Sequence, residues 1–148
     1  MAEIKKILCA VDLSEISTQV ADYSRTLARA FDAEVVVSYV APSLSQYVGF
    51  HVPPTSIETF VGEIVSGAEK SMDEFLKDNF SEVKARGQVS TGYAAEEILQ
   101  TAKQEGVDLI VMGTHGRKGI DRVLFGSVAE KVVKGADVPV LTVRPKSS

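Results

Sequence analysis

Five strand-like segments alternate with helical patterns along the chain and predict an α/β fold built on a parallel sheet. Most of these segments are short and almost continuously apolar, as in Ile7–Val11 and Leu109–Met112, which is typical of strands covered on both faces. A glycine-rich stretch, Gly113–Ser127, follows the fourth segment, at the strand end where parallel sheets bind their ligands. The sequence therefore predicts right-handed strand–helix–strand units with a site at the carboxyl ends of the strands.

The first strand is expected within Ile4–Val11, and the second, rich in β-branched residues, within Glu34–Val40. Between them a helix begins near Ser17, with Ser14 or Ser17 as its expected N-cap. The inward stripe of this helix consists of small or apolar residues: Val20, Ser24, Leu27, Ala28 and Phe31.

The segment Ala41–Pro54 contains three prolines and no period, so we expect a long loop of the kind that is usually functional or disordered. From its length and position, this loop is a candidate lid over a ligand, with Gln46–Phe50 as its tip. Thr55 followed by Glu58 is a capping-box pattern and predicts the start of a long amphipathic helix that ends near Asn79.

The second half of the chain predicts two more strands before the glycine-rich stretch. Val83–Thr91 alternates only loosely and is expected near one edge of the sheet. A short amphipathic helix over Ala95–Ala102 should end before Gly106, a favourable C-cap residue, and the next strand covers Val107–Met112.

After the glycine-rich stretch, a last helix is expected from Ser127 to Gly135 and a fifth strand over Val138–Val143. Pro139 can donate no hydrogen bond to a neighbouring strand. The fifth strand is therefore expected to start near Pro139 or to lie at an edge of the sheet.

The composition is that of an ordinary globular protein with a mildly acidic balance. Its 148 residues carry a formal net charge of −4, which argues weakly against broad nucleic-acid binding. The length predicts a single domain over residues 1–148, and the apolar runs are shorter than the ~20 residues of a membrane span. No signal peptide is expected, and one cysteine, Cys9, lies in an apolar run, so we expect a cytoplasmic chain with a buried thiol.

The stretch Gly113–Ser127 has the composition of an anion-binding turn. Five cations and two acids give residues 113–134 a formal charge of +3, in a chain that is negative overall. A glycine turn between a strand and a helix brings backbone N–H groups and the positive end of the helix dipole onto a phosphate. The alternative is a connection whose glycines, Gly113, Gly116 and Gly126, merely let the chain turn.

Individual side chains near this stretch have two interpretations each. Asp12, at the end of the first strand, could accept hydrogen bonds from a ribose or cap the following helix. Ser127 could cap the last helix or donate its hydroxyl to a terminal phosphate. His115 could titrate usefully, but one histidine is weak evidence for catalysis. Arg117 could neutralise a phosphate or be an ordinary solvated charge.

The residues present argue against several kinds of site. The stretch lacks the lysine-containing P-loop pattern of NTPases, and no Gly-x-Gly-x-x-Gly follows the first strand. One cysteine and two distant histidines, His51 and His115, do not make a zinc site. No nucleophile elbow or Ser/His/Asp set can be identified. A nucleotide pocket can be argued from these residues, whereas a set of catalytic residues cannot.

The spacing Gly-x2-Gly-x9-Gly-Ser, met here between Gly113 and Ser127, resembles the ATP-binding signature of the universal stress protein family. The similarity extends over essentially the whole chain. Lys6–Ser14 resembles the family's first strand and the aspartate that follows it, and Gly126–Arg144 resembles its last helix and strand.

This resemblance implies a Rossmann-like three-layer sandwich, of the adenine nucleotide alpha hydrolase-like type, with a five-stranded parallel sheet of order 3-2-1-4-5. In ATP-binding members, the position of Asp12 contacts the ribose, and that of Val40 contacts adenine through its backbone. Ala10 is also placed beside adenine, although many members have proline there. In these members the phosphates are usually accompanied by a divalent cation. The resemblance places further positions along the sugar and phosphates: Met112, Gly113, His115, Gly116, Gly126, Ser127 and Val128.

Members of the family are commonly homodimers joined through their last strands, here Val138–Val143. We therefore expect an ATP-binding regulatory or stress-response protein, with Mg or Mn as the accompanying cation, whose nucleotide state modulates an unidentified protein partner. The alternatives are a slow ATPase, with Ser127 near the γ-phosphate, and a module that senses AMP or another adenine nucleotide. No nucleic-acid or membrane partner is expected, and no catalytic residue is assigned.

Overall fold

The computed structural model describes residues 1–41, 54–114 and 126–144, in which five strands alternate with four helices. The strands are β1 (Lys6–Ala10), β2 (Glu34–Ala41), β3 (Ala85–Thr91), β4 (Leu109–Gly113) and β5 (Val140–Val143). The helices are α1 (Ser17–Phe31), α2 (Pro54–Asn79), α3 (Ala94–Glu105) and α4 (Ser127–Gly135). The candidate lid within Ala41–Pro54, with its tip Gln46–Phe50, lies outside the described residues.

The sheet is parallel throughout and has the order β3-β2-β1-β4-β5, which confirms the predicted fold class. The central strand is β1, and its apolar residues are buried because neighbouring strands and helices cover it on every side. Ala10 lies opposite Ser38 of β2 on one side and opposite Met112 of β4 on the other. The winding of the sheet therefore reverses between β1 and β4, where parallel sheets open a crevice.

Helices cover both faces of the sheet, which gives three layers. Because successive side chains of a strand point to opposite faces, Ile7 and Cys9 pack with α1 and α2, whereas Leu8 packs with α3 and α4. Val35 and its neighbours in β2 divide between the two faces in the same way. Two apolar clusters result, one on each side of the sheet, and together they hold the carboxyl ends of the strands in fixed register.

The single cysteine is a packing residue. Cys9 is fully buried, and burial raises the pKa of its thiol to about 12 although a hydrogen bond with Ser24 of α1 acts in the opposite direction. A thiol with such a pKa stays protonated near neutral pH and is a poor nucleophile. The prediction of a buried thiol is confirmed.

Three strands begin later than expected, at residues 85, 109 and 140 rather than 83, 107 and 138. Val83 and Val107 belong to turns instead, because their N–H groups donate back to the carbonyls of Phe80 and Ala102, at 3.3 and 3.1 Å. In β5 the strand starts just after Pro139, which has no N–H to donate. The predictions that the third and fifth strands lie at the edges of the sheet are confirmed.

The expected serine N-cap of α1 is wrong. Ile16 occupies the N-cap position and makes no side-chain capping hydrogen bond, and Ser17 is the first helical residue. The start of α2 also differs, since the helix begins at Pro54, one residue before Thr55. Proline is favourable in a first helical turn because its missing N–H would have no partner in the helix.

Within the described ranges, no helix has the length and apolar character needed to cross a membrane.

The end of α3 provides a test of the fold. Gly106 has φ 63°, a left-handed conformation, and its N–H donates to the carbonyls of Ala102 and Lys103. We expect Gly106→Ala to lower the free energy of unfolding by about 1 kcal/mol, because a Cβ is strained in this conformation although no atom lies within 4 Å of it. Urea unfolding measures the change.

Gly67 is the matched control, because it lies inside α2 and a Cβ there also meets nothing within 4 Å. Gly67→Ala should stabilise the protein by about 0.5–1 kcal/mol, since alanine favours the helix interior. Equal effects of the two substitutions would contradict the role assigned to Gly106.

Candidate functional site

A crevice of about 300 Å³ opens where β1, β2 and β4 end, beside the first turns of α1, α3 and α4. Its volume is at the lower end of the range for small-molecule sites. Eight of the expected site residues line it: Ala10, Asp12, Val40, Met112, Gly113, Gly126, Ser127 and Val128. Three others, His115, Gly116 and Arg117, lie outside the described residues.

Asp12 and Gly113 line the same crevice although 100 residues separate them in the chain. The parallel pairing of β1 with β4 brings them there, since Ala10, the last residue of β1, lies opposite Met112. Asp12 follows Ala10 by two residues, and Gly113 follows Met112 by one. The predicted adjacency of the first and fourth strands is confirmed.

The two ends of the glycine-rich stretch are held together at the crevice. The N–H of Thr114 donates to the carbonyl of Val143 in β5 at 3.0 Å, and the N–H of Gly126 donates to the carbonyl of Thr114. The N–H of Glu130 donates to the carbonyl of Gly126 at 3.0 Å and closes the first turn of α4. The helix α4 therefore starts at the crevice, and the backbone amides of its first turn, which have no acceptor inside the helix, lie there.

The capping interpretation of Ser127 is wrong. Gly126 is the N-cap of α4, and no side-chain capping hydrogen bond is made at this helix start. Ser127 is the first helical residue, is exposed, and lines the crevice. Its hydroxyl is therefore not used to cap the helix.

Asp12 organises the turn that leads into α1. Its Oδ1 accepts hydrogen bonds from the N–H of Ser14 at 2.9 Å, from the hydroxyl of Ser14, and from the hydroxyl of Ser17 at 3.0 Å. The hydroxyl of Ser17 in turn accepts a hydrogen bond from the Asp12 N–H at 3.3 Å. Leu13 has a positive φ of 61°, which lets the chain fold back onto the carboxylate. Asp12 does not cap α1, because Ile16 is the N-cap and no side-chain capping hydrogen bond is made there. The capping interpretation of Asp12 is therefore wrong, and its contact with a ribose stays a prediction.

The crevice has an apolar end and a polar end. Ala10, Val40 and Met112 from the sheet and Ile98 from α3 form the apolar end. At the polar end lie the turn of Gly113 and the start of α4. A flat aromatic group suits the first environment, and an anion suits backbone amides at a helix start.

The sequence interpretation missed two serines of the crevice. The sequence predicts only a capping role for Ser17, yet this residue is 1% exposed and its hydroxyl holds Asp12. The sequence predicts Ser38 only as a residue of the second strand, yet it is equally buried and lines the crevice. A hydroxyl inside the run Val35–Val40 was the available signal, because serine is uncommon among residues that build a buried strand.

Carboxylates of the described part do not form a metal centre. Within residues 1–41, 54–114 and 126–144, no group of three His, Cys, Asp or Glu side chains could hold an ion. Glu130, in the first turn of α4, is paired with Lys134 at 2.9 Å, and this hydrogen bond lowers the pKa of the Glu130 carboxyl. Glu130 is therefore an ionised carboxylate that pairs with a lysine of the same helix.

Comparison with known proteins identifies the family of this chain. The model of the universal stress protein family matches residues 3–144. The chain belongs to the universal stress protein family. Universal stress protein MJ0531 of Methanocaldococcus jannaschii is 37% identical over 142 residues, which cover 95% of this chain and 82% of that protein.

Solved structures of the family have the same fold. Universal stress protein UspA from Lactobacillus plantarum has a TM-score of 0.82 at 25% identity and covers 97% of this chain and 100% of that one. Protein MJ0577 of M. jannaschii has a TM-score of 0.78 at 28% identity, with 99% and 100% covered.

Two more distant structures contain a nucleotide. A family member from Arabidopsis thaliana, with AMP bound, has a TM-score of 0.68 at 17% identity and covers 97% of this chain and 93% of that one. A universal stress protein in complex with cAMP has a TM-score of 0.63 at 16% identity, with 98% and 100% covered. At these identities the likeness shows a shared fold.

The hydrogen bonds of Asp12 predict a structural effect that is independent of any ligand. We expect Asp12→Ala to lower the free energy of unfolding by about 1–2 kcal/mol, because the Ser14 N–H and two hydroxyls lose their acceptor. Asp12→Asn should lose less, since the amide oxygen can accept the same bonds. Urea unfolding of both variants measures the difference.

Asp137→Ala is a control on the surface, where the carboxylate of Asp137 lies 3.7 Å from Lys103 and both side chains are exposed. Exposed pairs contribute about 0–1 kcal/mol. An Asp12→Ala variant as stable as Asp137→Ala would show that the carboxylate does not organise the turn.

Proposed function

We propose that this universal stress protein binds an adenine nucleotide, ATP above all, in the crevice between β1 and β4, and acts as a regulatory protein. The observation that carries the proposal is the arrangement of the crevice, in which an apolar slot is continuous with a glycine turn at the start of α4. The base, the ribose and the phosphates of a nucleotide require these environments in that order.

In this proposal the base lies in the apolar slot, against Ala10, Val40 and Met112. The ribose lies near Asp12, and the phosphates lie along Gly113, Gly126 and Ser127. Backbone amides of α4 and the positive end of its dipole would stabilise the phosphate charge. The cations of the glycine-rich stretch add to this attraction, because residues 113–134 carry a formal charge of +3.

Adenine is proposed as the base because family members of the same fold have been solved with AMP and with cAMP. ATP is preferred to AMP because the Gly113–Ser127 spacing resembles the signature of ATP-binding members. Mg or Mn would reach the site with the phosphates, which supply most of the oxygen ligands that such a cation needs. Mass spectrometry of nucleotide extracted from freshly purified protein tests which adenine nucleotide is held.

A regulatory role is proposed rather than an enzymatic one because the described site offers few reactive groups. Asp12 is the one carboxylate that lines the crevice within the described ranges, and its Oδ1 already accepts three hydrogen bonds. Phosphate release from Mg-ATP over many turnovers, abolished by Gly116→Val, would instead make the protein an ATPase.

The glycine at the start of α4 gives the main test of nucleotide binding. Gly126 has φ −68° and ψ 161°, an extended conformation that valine adopts easily, so Gly126→Val should leave the fold intact. The new side chain would occupy the space in which a phosphate approaches the backbone. We expect at least about tenfold weaker ATP binding by calorimetry, equivalent to roughly 1.4 kcal/mol.

Gly67→Ala serves as the binding control, because Gly67 lies in α2 and is not among the residues that line the crevice. Its ATP affinity should equal that of the unmodified protein. Unchanged ATP affinity in Gly126→Val would remove the glycine turn from the site.

We also propose that the protein is a homodimer joined through β5. This strand lies at one edge of the sheet, and exposed edge strands are prone to pair with a second chain. Leu141 in β5 and Val133 in α4 are large apolar residues that remain exposed, at 36% and 45%. A dimer through β5 would cover apolar surface at this edge.

Leu141→Asp should weaken this dimer, because it places an unpaired carboxylate in the interface. Sedimentation at low protein concentration should show a dimer for the unmodified protein and mostly monomer for the variant. Tyr93→Asp is the matched control, since Tyr93 is 57% exposed and follows β3, at the opposite edge of the sheet from β5. Two variants with equal dimer fractions would place the interface elsewhere.

A further inference from the structure

Ser38 is an unusual residue at the apolar end of the crevice. It lies in β2, is 1% exposed, and is flanked by Val37 and Tyr39 in a strand that is otherwise apolar around it. Its Oγ is buried and has no hydrogen-bond partner among the described residues. Leaving a buried hydroxyl unpaired is unfavourable, so each such group in a native protein requires an explanation.

The position of Ser38 connects it with the proposed base. Ser38 lies opposite Ala10, and Ala10 lies opposite Met112, so the three residues form one row across β2, β1 and β4. In a sheet, residues of such a row share a face, here the face covered by α3 and α4. All three line the crevice, and Ala10 and Met112 belong to the slot in which the base is proposed to lie.

Ser90 shows that a buried, unpaired hydroxyl does not by itself indicate a ligand, and that the position of Ser38 in the crevice is what distinguishes it. The Oγ of Ser90 in β3 is also buried and without a partner among the described residues. Ser90 lies opposite Val40, one strand further from β1, and is not among the residues that line the crevice. Gln88 of β3 lies opposite Ser38, and its side-chain amide donates to the hydroxyl of Thr101 at 3.4 Å.

We propose that Ser38 is a specificity-determining residue whose hydroxyl donates a hydrogen bond to a ring nitrogen of the adenine base. This inference rests on the proposed function, because it assigns the reading of the base to one side chain of the same crevice. A serine hydroxyl has one proton to donate, and adenine has ring nitrogens at positions 1, 3 and 7 that can accept it. The bound base would then supply the partner that Oγ lacks, and a base without an acceptor at that place would leave the hydroxyl unpaired.

The first experiment compares two serine-to-alanine variants by calorimetry with ATP. Ser38→Ala should bind ATP roughly three- to tenfold more weakly, which corresponds to one net hydrogen bond. Ser90→Ala should bind ATP as the unmodified protein does, although it removes a hydroxyl of the same kind. Urea unfolding without nucleotide should show no loss of stability in either variant, because neither hydroxyl has a partner among the described residues to lose.

The second experiment identifies the nitrogen that is recognised. ATP analogues in which carbon replaces N1, N3 or N7 are titrated into the unmodified protein and into Ser38→Ala. One analogue should bind the unmodified protein three- to tenfold more weakly than ATP does, and should bind Ser38→Ala with the same affinity as ATP. Equal losses for that analogue in both proteins would assign its nitrogen to another group and overturn the proposal.

The outcomes separate this inference from the proposed function. If the unmodified protein binds ATP and Ser38→Ala binds it equally well, Ser38 does not read the base and only this inference fails. If the unmodified protein binds no adenine nucleotide, the proposed function fails and this inference fails with it. A loss of ATP affinity in Ser90→Ala equal to that in Ser38→Ala would also overturn the inference, because the effect would then not belong to the crevice.

Discussion

The parallel pairing of β1 with β4 is the constraint on which the candidate site depends. It places Ala10 opposite Met112, and with them the turn of Asp12 and the turn of Gly113. The chain leaves these two strands toward opposite faces of the sheet, because α1 packs on one face and α4 on the other. A gap at the strand ends is the geometric result, and the helix starts on either side become its walls.

The two ends of the sheet have opposite characters. At the amino end, side chains satisfy the hydrogen-bonding groups of the backbone. The carboxylate of Asp108 accepts hydrogen bonds from the N–H groups of Lys5 and Lys6 at 2.8 and 3.1 Å. Lys6 also pairs with Glu34 at 3.3 Å. The hydrogen bond from Lys6, and to a smaller extent the one from Lys84, lowers the pKa of the Glu34 carboxyl. Any stabilisation from these pairs is present above the ordinary pKa of glutamate and is lost as the pH falls through the lowered value. At the carboxyl end, by contrast, the crevice lies between the strand ends and the helix starts.

Much of the fold could be predicted from the sequence because its signals are local. Alternating strands and helices, the apolar character of Ile7–Val11, and Gly106 after α3 each depend on a few neighbouring residues. The misplaced boundaries depend on partners that the sequence does not show. Val107 has a strand-like side chain, but its N–H bonds back to α3.

The crevice could be predicted only in part, for the same reason. Asp12 and the glycines are visible as residue types at recognisable positions. The exchange of hydrogen bonds between Asp12 and Ser17 requires the positive φ of Leu13, which the residue type does not favour. The importance of Ser38 follows from its register with Ala10, a long-range pairing.

The hydrogen bond between the Gly126 N–H and the Thr114 carbonyl has a consequence for how such a protein can evolve. It returns the chain to its point of departure, so residues 115–125 are inserted between two anchored positions. Substitutions, insertions or deletions inside that interval need not change the register of β4 with β5 or the position of α4. The length and composition of this interval can therefore diverge while selection for folding acts on the rest of the chain.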